Sequence, residues 1–144
     1  DKNVDFKSGL IKVKDGEDLC IIATGIMVHQ ALAVASELHK EGIEAGVIDL
    51  HRIKPIAKDI LMKCIQGYPQ IVTMEEHLLA GGMGSAIAEI FIDESITTPI
   101  LRIGQDDKFV FDLGGRQAIW EAHGLDVAGI LKQIKEKLIL PIAR

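Results

Sequence analysis

Four short, mainly apolar runs constrain the fold more than any other feature of this chain: Leu19–Ala23, Ala45–Leu50, Ile71–Met74 and Pro99–Ile103. Each is too short for a buried helix, and the first ends at Thr24-Gly25, so each reads as a strand buried on both faces. Between them the period changes. Val28, Ala31, Leu32, Ala35 and Leu38 recur at helical spacing from Met27 to Glu41, and Gly42 follows as a C-cap. Pro55 fits the first turn of a short helix through Ile60, Leu61 and Cys64, closed by Gly67 and Pro69. Ala86, Ile87, Ile90 and Phe91 mark a third helix, Arg116–His123 a fourth, and Asp126 caps a fifth carrying Val127, Ile130, Leu131, Ile134 and Leu138. Strands alternating with helices predict an α/β domain, a parallel sheet with helices on both faces. Ahead of it, residues 6–14 alternate apolar and polar as a half-exposed edge strand. The Asp15-Gly16 turn then predicts that this strand runs antiparallel to the others.

Composition supports that architecture. Hydrophobic residues make up 48% of the 144 and aromatics only 4%, so the core is aliphatic, as a sheet between helices requires. The net charge is −5 and no basic face is clustered, which argues against a nucleic-acid partner. Lys132, Lys135 and Lys137 are interrupted by Glu136 and read as a solvated helix face. No apolar run approaches the ~18 residues of a membrane span. Cys20 and Cys64 form no CxxC pair and sit in apolar stretches, reading as buried thiols of a reducing cytoplasm.

Ligands of open α/β sheets favour the crevice beyond the carboxyl ends of the strands. Thr24-Gly25, His51-Arg52, Glu75-Glu76-His77 and Gly104 with Asp106-Asp107 fall there. Gly81-Gly82-Met83-Gly84-Ser85 opens a helix, where free amides suit an anion. Those glycines equally suit close approach of the helix to the sheet. They form neither a phosphate loop, lacking its lysine, nor GxGxxG. Glu75, Glu76 and His77 are candidates for acid–base chemistry, yet adjacent strand residues point to opposite faces, so both carboxylates share one task only if the strand has already ended. The five histidines form no HxH, HExxH or HxxxH pair, so no metal site is expected. Ser85 lacks the GxSxG setting of a nucleophile elbow.

Several stretches, taken in order, resemble the C-terminal domain of transketolase. They are D-L-C-I-I-A-T-G at 18–25, then Val47-Ile48-Asp49-Leu50-His51-Arg52-Ile53-Lys54-Pro55, then I-V-T-M-E-E-H at 71–77 with G-G-M-G-S-A at 81–86. Arg102-Ile103-Gly104, Asp107, Phe109 and His123-Gly124-Leu125-Asp126 complete the pattern. Gln105-Asp106 stands where relatives often have a residue followed by proline, and Val110–Gln117 departs from the family pattern. The same domain occurs in 1-deoxyxylulose-5-phosphate synthase and in the β subunit of 2-oxoacid dehydrogenases.

The resemblance implies a three-layer α/β/α fold with a five-stranded mixed sheet whose first strand is antiparallel. It implies that residues 1–17 leave a pyrimidine-binding domain and that residues 18–144 form the C-terminal domain, as in split-gene transketolases. The opening Asp1 in place of a methionine accords with a piece of a longer protein. The complete enzyme is expected to be cytoplasmic and dimeric, and to move two-carbon ketol units between sugar phosphates in pentose phosphate metabolism. It would use thiamine diphosphate and magnesium held by other domains. This chain lacks the family's G-D-G…N cofactor motif, its only asparagine being Asn3. No catalytic or cofactor-binding residue transfers to it. Thr24, Gly25, Glu75, Glu76, His77, Gly81, Gly82, Gly84 and Ser85 are the residues expected at an interface or a small-ligand site. The rival expectations are a stand-alone regulatory module that binds an anion or metabolite, and the equivalent domain of 1-deoxyxylulose-5-phosphate synthase or of a 2-oxoacid dehydrogenase β subunit.

Overall fold

A computed structural model describes residues 6–111 and 113–138. In chain order the elements are β1 (Ile11–Lys14), β2 (Leu19–Ala23), α1 (Met27–Lys40), β3 (Ala45–Asp49), α2 (Lys58–Ile65) and β4 (Ile71–Leu78). There follow α3 (Met83–Asp93), β5 (Ile100–Gln105), α4 (Gly115–His123) and α5 (Val127–Lys137). The strands form one five-stranded sheet in the order β1-β3-β2-β4-β5. β2, β3, β4 and β5 pair in parallel and β1 runs antiparallel.

The period of two in β2 divides its side chains between two cores. Leu19, Ile21 and Ala23 meet the face covered by α1, α4 and α5. Cys20 and Ile22 meet the face covered by α2 and α3. All five are fully buried, which is why the run shows no polar alternation. The result is the three-layer α/β/α fold and mixed sheet that the resemblance implies. Helix α1 buries Met27, Ala31, Val34, Ala35 and Leu38, and Gly42 ends it in the left-handed conformation at φ +79°. The Asp126 carboxylate caps α5, accepting from the Gly129 amide at 3.2 Å. None of the described helices is long and apolar enough to cross a membrane.

The structure corrects four local expectations. Only Ile11–Lys14 of the expected 6–14 strand is extended, because Phe6–Ser8 form a single 3-10 turn and Gly9 takes φ +82°. The Asp15-Gly16 turn closes no hairpin, since β3 lies between β1 and β2. Instead the chain passes beneath the start of β3, where the Glu17 and Asp18 amides both donate to the Glu44 carbonyl. Any side chain on Gly16 would collide with the Ala45–Gly46 backbone. Pro55 precedes α2 rather than opening it: the helix starts at Lys58. Finally, β4 continues through Glu75, Glu76 and His77 to Leu78, and β5 continues to Gln105.

Candidate functional site at the carboxyl end of the sheet

Because β4 stays extended, its consecutive acidic residues face opposite ways. Glu75 follows Ile71 and Thr73 toward α3 and is fully buried. Its Oε2 accepts from the Met83 amide at 2.6 Å and its Oε1 from the Gly84 amide at 2.8 Å. Buried charge is costly unless it is bonded. Here the carboxylate meets the first free amides of α3 and the positive end of its dipole. The anion that this helix start attracts is therefore the domain's own Glu75.

The glycines make that contact possible. A side-chain carbon on Gly82 would run into the Glu75 carboxylate and the Leu78 carbonyl. One on Gly84 would stand 2.5 Å from Thr73 Oγ1 and 3.1 Å from Glu75 Oε1. Of the two readings left open for this loop, close approach of helix to sheet is the one the geometry supports. Gly81, at φ +72°, turns the chain into α3. Ser85 Oγ donates to the Leu79 carbonyl at 2.6 Å and accepts from the Gly81 amide at 3.2 Å and from Arg102 Nη1 at 2.8 Å. Arg102 also donates to Leu79 O at 3.2 Å, tying the loop to β5.

Glu76 faces the opposite layer. Its Oε1 accepts from Arg116 Nε at 2.8 Å and from Trp120 Nε1 at 3.1 Å, both on α4. His77 is exposed. Thr24 and Gly25 turn the chain from β2 into α1: the Thr24 amide donates to Met74 O and its carbonyl accepts from the Met27 amide. His51 Nε2 donates to Phe6 O at 3.2 Å, and Arg52 donates to the Ser8 and Pro55 carbonyls, each at 3.3 Å. Asp106 pairs with Lys108 at 3.1 Å on the surface.

An open cleft of about 580 Å³ gathers Glu75, Glu76, His77, Gly81 and Gly82 from the expected set. Thr24, Gly25, Gly84 and Ser85 do not line it. Sequence reasoning missed its apolar wall of Ile53, Leu78, Ala80 and Met83, together with Gln105. It also missed Arg116 and Trp120, 40 and 44 residues from Glu76, since nothing local signals such a pairing. No three His, Cys, Asp or Glu side chains converge among the described residues. The one buried carboxylate of the cleft is engaged by helix amides, so these residues do not fit a magnesium diphosphate. Cys20 is buried and burial pushes its thiol up to about 12, whereas Cys64 is only half-buried. The Cys20 thiol is thus an inert core group.

Residues 9–130 match the family model described as "Transketolase, C-terminal domain". The 1-deoxy-D-xylulose-5-phosphate synthase of Gloeobacter violaceus is 40% identical over 126 residues, covering 88% of this chain and 20% of that protein. A split-gene transketolase solved as an inactive β4 tetramer is 34% identical, with a TM-score of 0.84 over 100% of this chain and 46% of that one. Transketolase from Campylobacter jejuni shares the fold at a TM-score of 0.67 and 17% identity, over 93% of this chain and 19% of that one. The chain spans about a fifth of the length of the curated relatives it matches. With the family model covering most of the chain and a mixed sheet of matching topology, the chain belongs to the transketolase C-terminal domain family.

Proposed function

We propose that this chain is the organising domain of a thiamine diphosphate-dependent transketolase and carries none of its chemistry. One observation supports this reading above the others: the single buried carboxylate at the strand ends is consumed in holding α3. A general base must reach the proton it takes, whereas Glu75 is fully buried with each oxygen bonded to a backbone amide. The same contact argues against the stand-alone anion-binding module, because the amides such a module would use are occupied.

Thiamine diphosphate and magnesium would be held by the other domains of the complete enzyme, which supply the carbanion chemistry. This domain would stabilise a homodimer of that enzyme in the cytoplasm. The ketol-transfer reading is favoured by the split-gene transketolase, which aligns with the whole chain. The second reading is 1-deoxyxylulose-5-phosphate synthase, favoured by the 40% identity of the Gloeobacter violaceus protein. The complete enzyme, offered a ketose phosphate with an aldose phosphate acceptor, is expected to transfer two carbons without releasing carbon dioxide. Carbon dioxide release from pyruvate in the presence of a triose phosphate, without ketol transfer, would replace the first reading with the second.

A further inference from the structure

Large apolar side chains are exposed at the carboxyl end of nearly every strand. Phe6, 68% exposed, lies against His51 beside β1 and β3. Ile26 follows β2 and Leu78 ends β4, at 38% and 44%. After β5, Phe109, Phe111 and Leu113 are exposed by 88%, 84% and 94%, with the two rings 6.1 Å apart. By contrast Val13, Leu32, Ile60 and Ile92 are scattered on other elements, and lone exposed apolar side chains need no explanation.

An aromatic side chain buries roughly 150–250 Å² when covered. The two rings and Leu113 alone therefore reach the size of the largest apolar patch on an ordinary monomer, roughly 300–600 Å². Neighbouring strands lie about 4.8 Å apart, so the row from Phe6 to the side chains after β5 crosses a face roughly 20 Å wide. The apolar cleft walled by Ile53, Leu78, Ala80 and Met83 opens on the same end. Asp106, Asp107 and Lys108 give this face a polar rim, the anatomy of a protein interface.

We infer that this face docks on the remainder of the same enzyme, with the Phe109, Phe111 and Leu113 side chains as its anchor. The inference rests on the reading of the chain as one part of a larger enzyme. One observation chooses that occupant: the relatives devote about four-fifths of their length to other parts. The partner surface must offer an apolar pocket for two rings, because the buried centre of an interface is where aromatic anchors act.

The test replaces Phe109 by the photo-crosslinking residue p-benzoylphenylalanine in the complete enzyme and maps the adducts by peptide mass spectrometry. Adducts on residues outside this domain are expected. Absence of adducts, or adducts on residues 6–138 of a second copy, would overturn the proposal. As an independent readout, the Phe111→Cys thiol should be alkylated at least ten-fold more slowly in the native enzyme than in urea. Equal rates would also overturn it. Ketol transfer by the unsubstituted enzyme, measured alongside, separates the two claims. Crosslinking without ketol transfer refutes the transketolase reading alone, and ketol transfer without crosslinking refutes the docking face alone.

Discussion

Replacing Glu75 by Gln isolates the contact on which this description depends. The substitution preserves shape but leaves one oxygen for two amides, so an NH₂ group must face the N–H of Met83 or Gly84. Two hydrogen bonds to a charged acceptor contribute about 1.5–3 kcal/mol each, against about 1 for the single neutral bond that remains. Stranding a buried donor costs a further ~1–3 kcal/mol. The lower cost of burying a neutral amide offsets part of this loss. The net expectation is a destabilisation of about 3 kcal/mol. With a urea dependence of roughly 1–3 kcal/mol per molar, the unfolding midpoint should fall by about 1 M or more, read by far-ultraviolet circular dichroism. Glu76→Gln is the matched control. Its carboxylate is partly exposed and paired with Arg116 on the surface, so its loss should cost about 1 kcal/mol or less. Equal midpoints for the two variants would refute the claim that Glu75 is the buried anchor of α3.

Other consequences follow from neighbouring contacts. Gly84→Ala should destabilise by about 1–3 kcal/mol in the same assay despite alanine's helix propensity, because its new carbon crowds Thr73 and Glu75. Burial raises the Cys20 thiol from 9.0 to about 12. The thiol's stabilising contribution is therefore complete below pH 9 and lost as pH rises toward 12, since only the unfolded chain ionises first. Unfolding measured from pH 8 to 11 should show that decline, and Cys20→Ala should make it shallower, leaving the part due to Tyr68, which burial also raises. Trp120, the single tryptophan, is buried and bonded to Glu76. Its emission should shift in Glu76→Ala, while Glu94→Ala, which removes only the surface partner of Lys58, should leave it unchanged.

The parts of this fold that were legible in the sequence are those governed by local periodicity. Leu19–Ala23 could be read as a doubly buried strand because both of its faces meet helices. Asp126 could be read as a cap because capping is satisfied within three residues. The opposed directions of Glu75 and Glu76 follow from strand geometry only because β4 continues past Met74, which the sequence pattern leaves open. Strand order was not legible: a tight turn ordinarily makes a hairpin, and only the clearance provided by Gly16 lets the chain pass beneath β3. Pro55 suited a helix start in propensity, yet the Arg52–Pro55 contact belongs to the loop before α2. The role of Glu75 had a signal in retrospect, a strand-end glutamate followed by Gly-Gly-x-Gly at a helix start. The partners of Glu76 had none, because Arg116 and Trp120 come from a distant helix.

The central claim is that this domain organises a thiamine enzyme and binds neither its cofactor nor its substrate. Its most direct test is calorimetric titration of the 144-residue chain with thiamine diphosphate and magnesium, paired with a ketol-transfer assay on the chain and on the complete enzyme. The account predicts no heat and no transfer for the chain alone, and transfer by the complete enzyme. Cofactor binding or ketol transfer by the chain alone would contradict it.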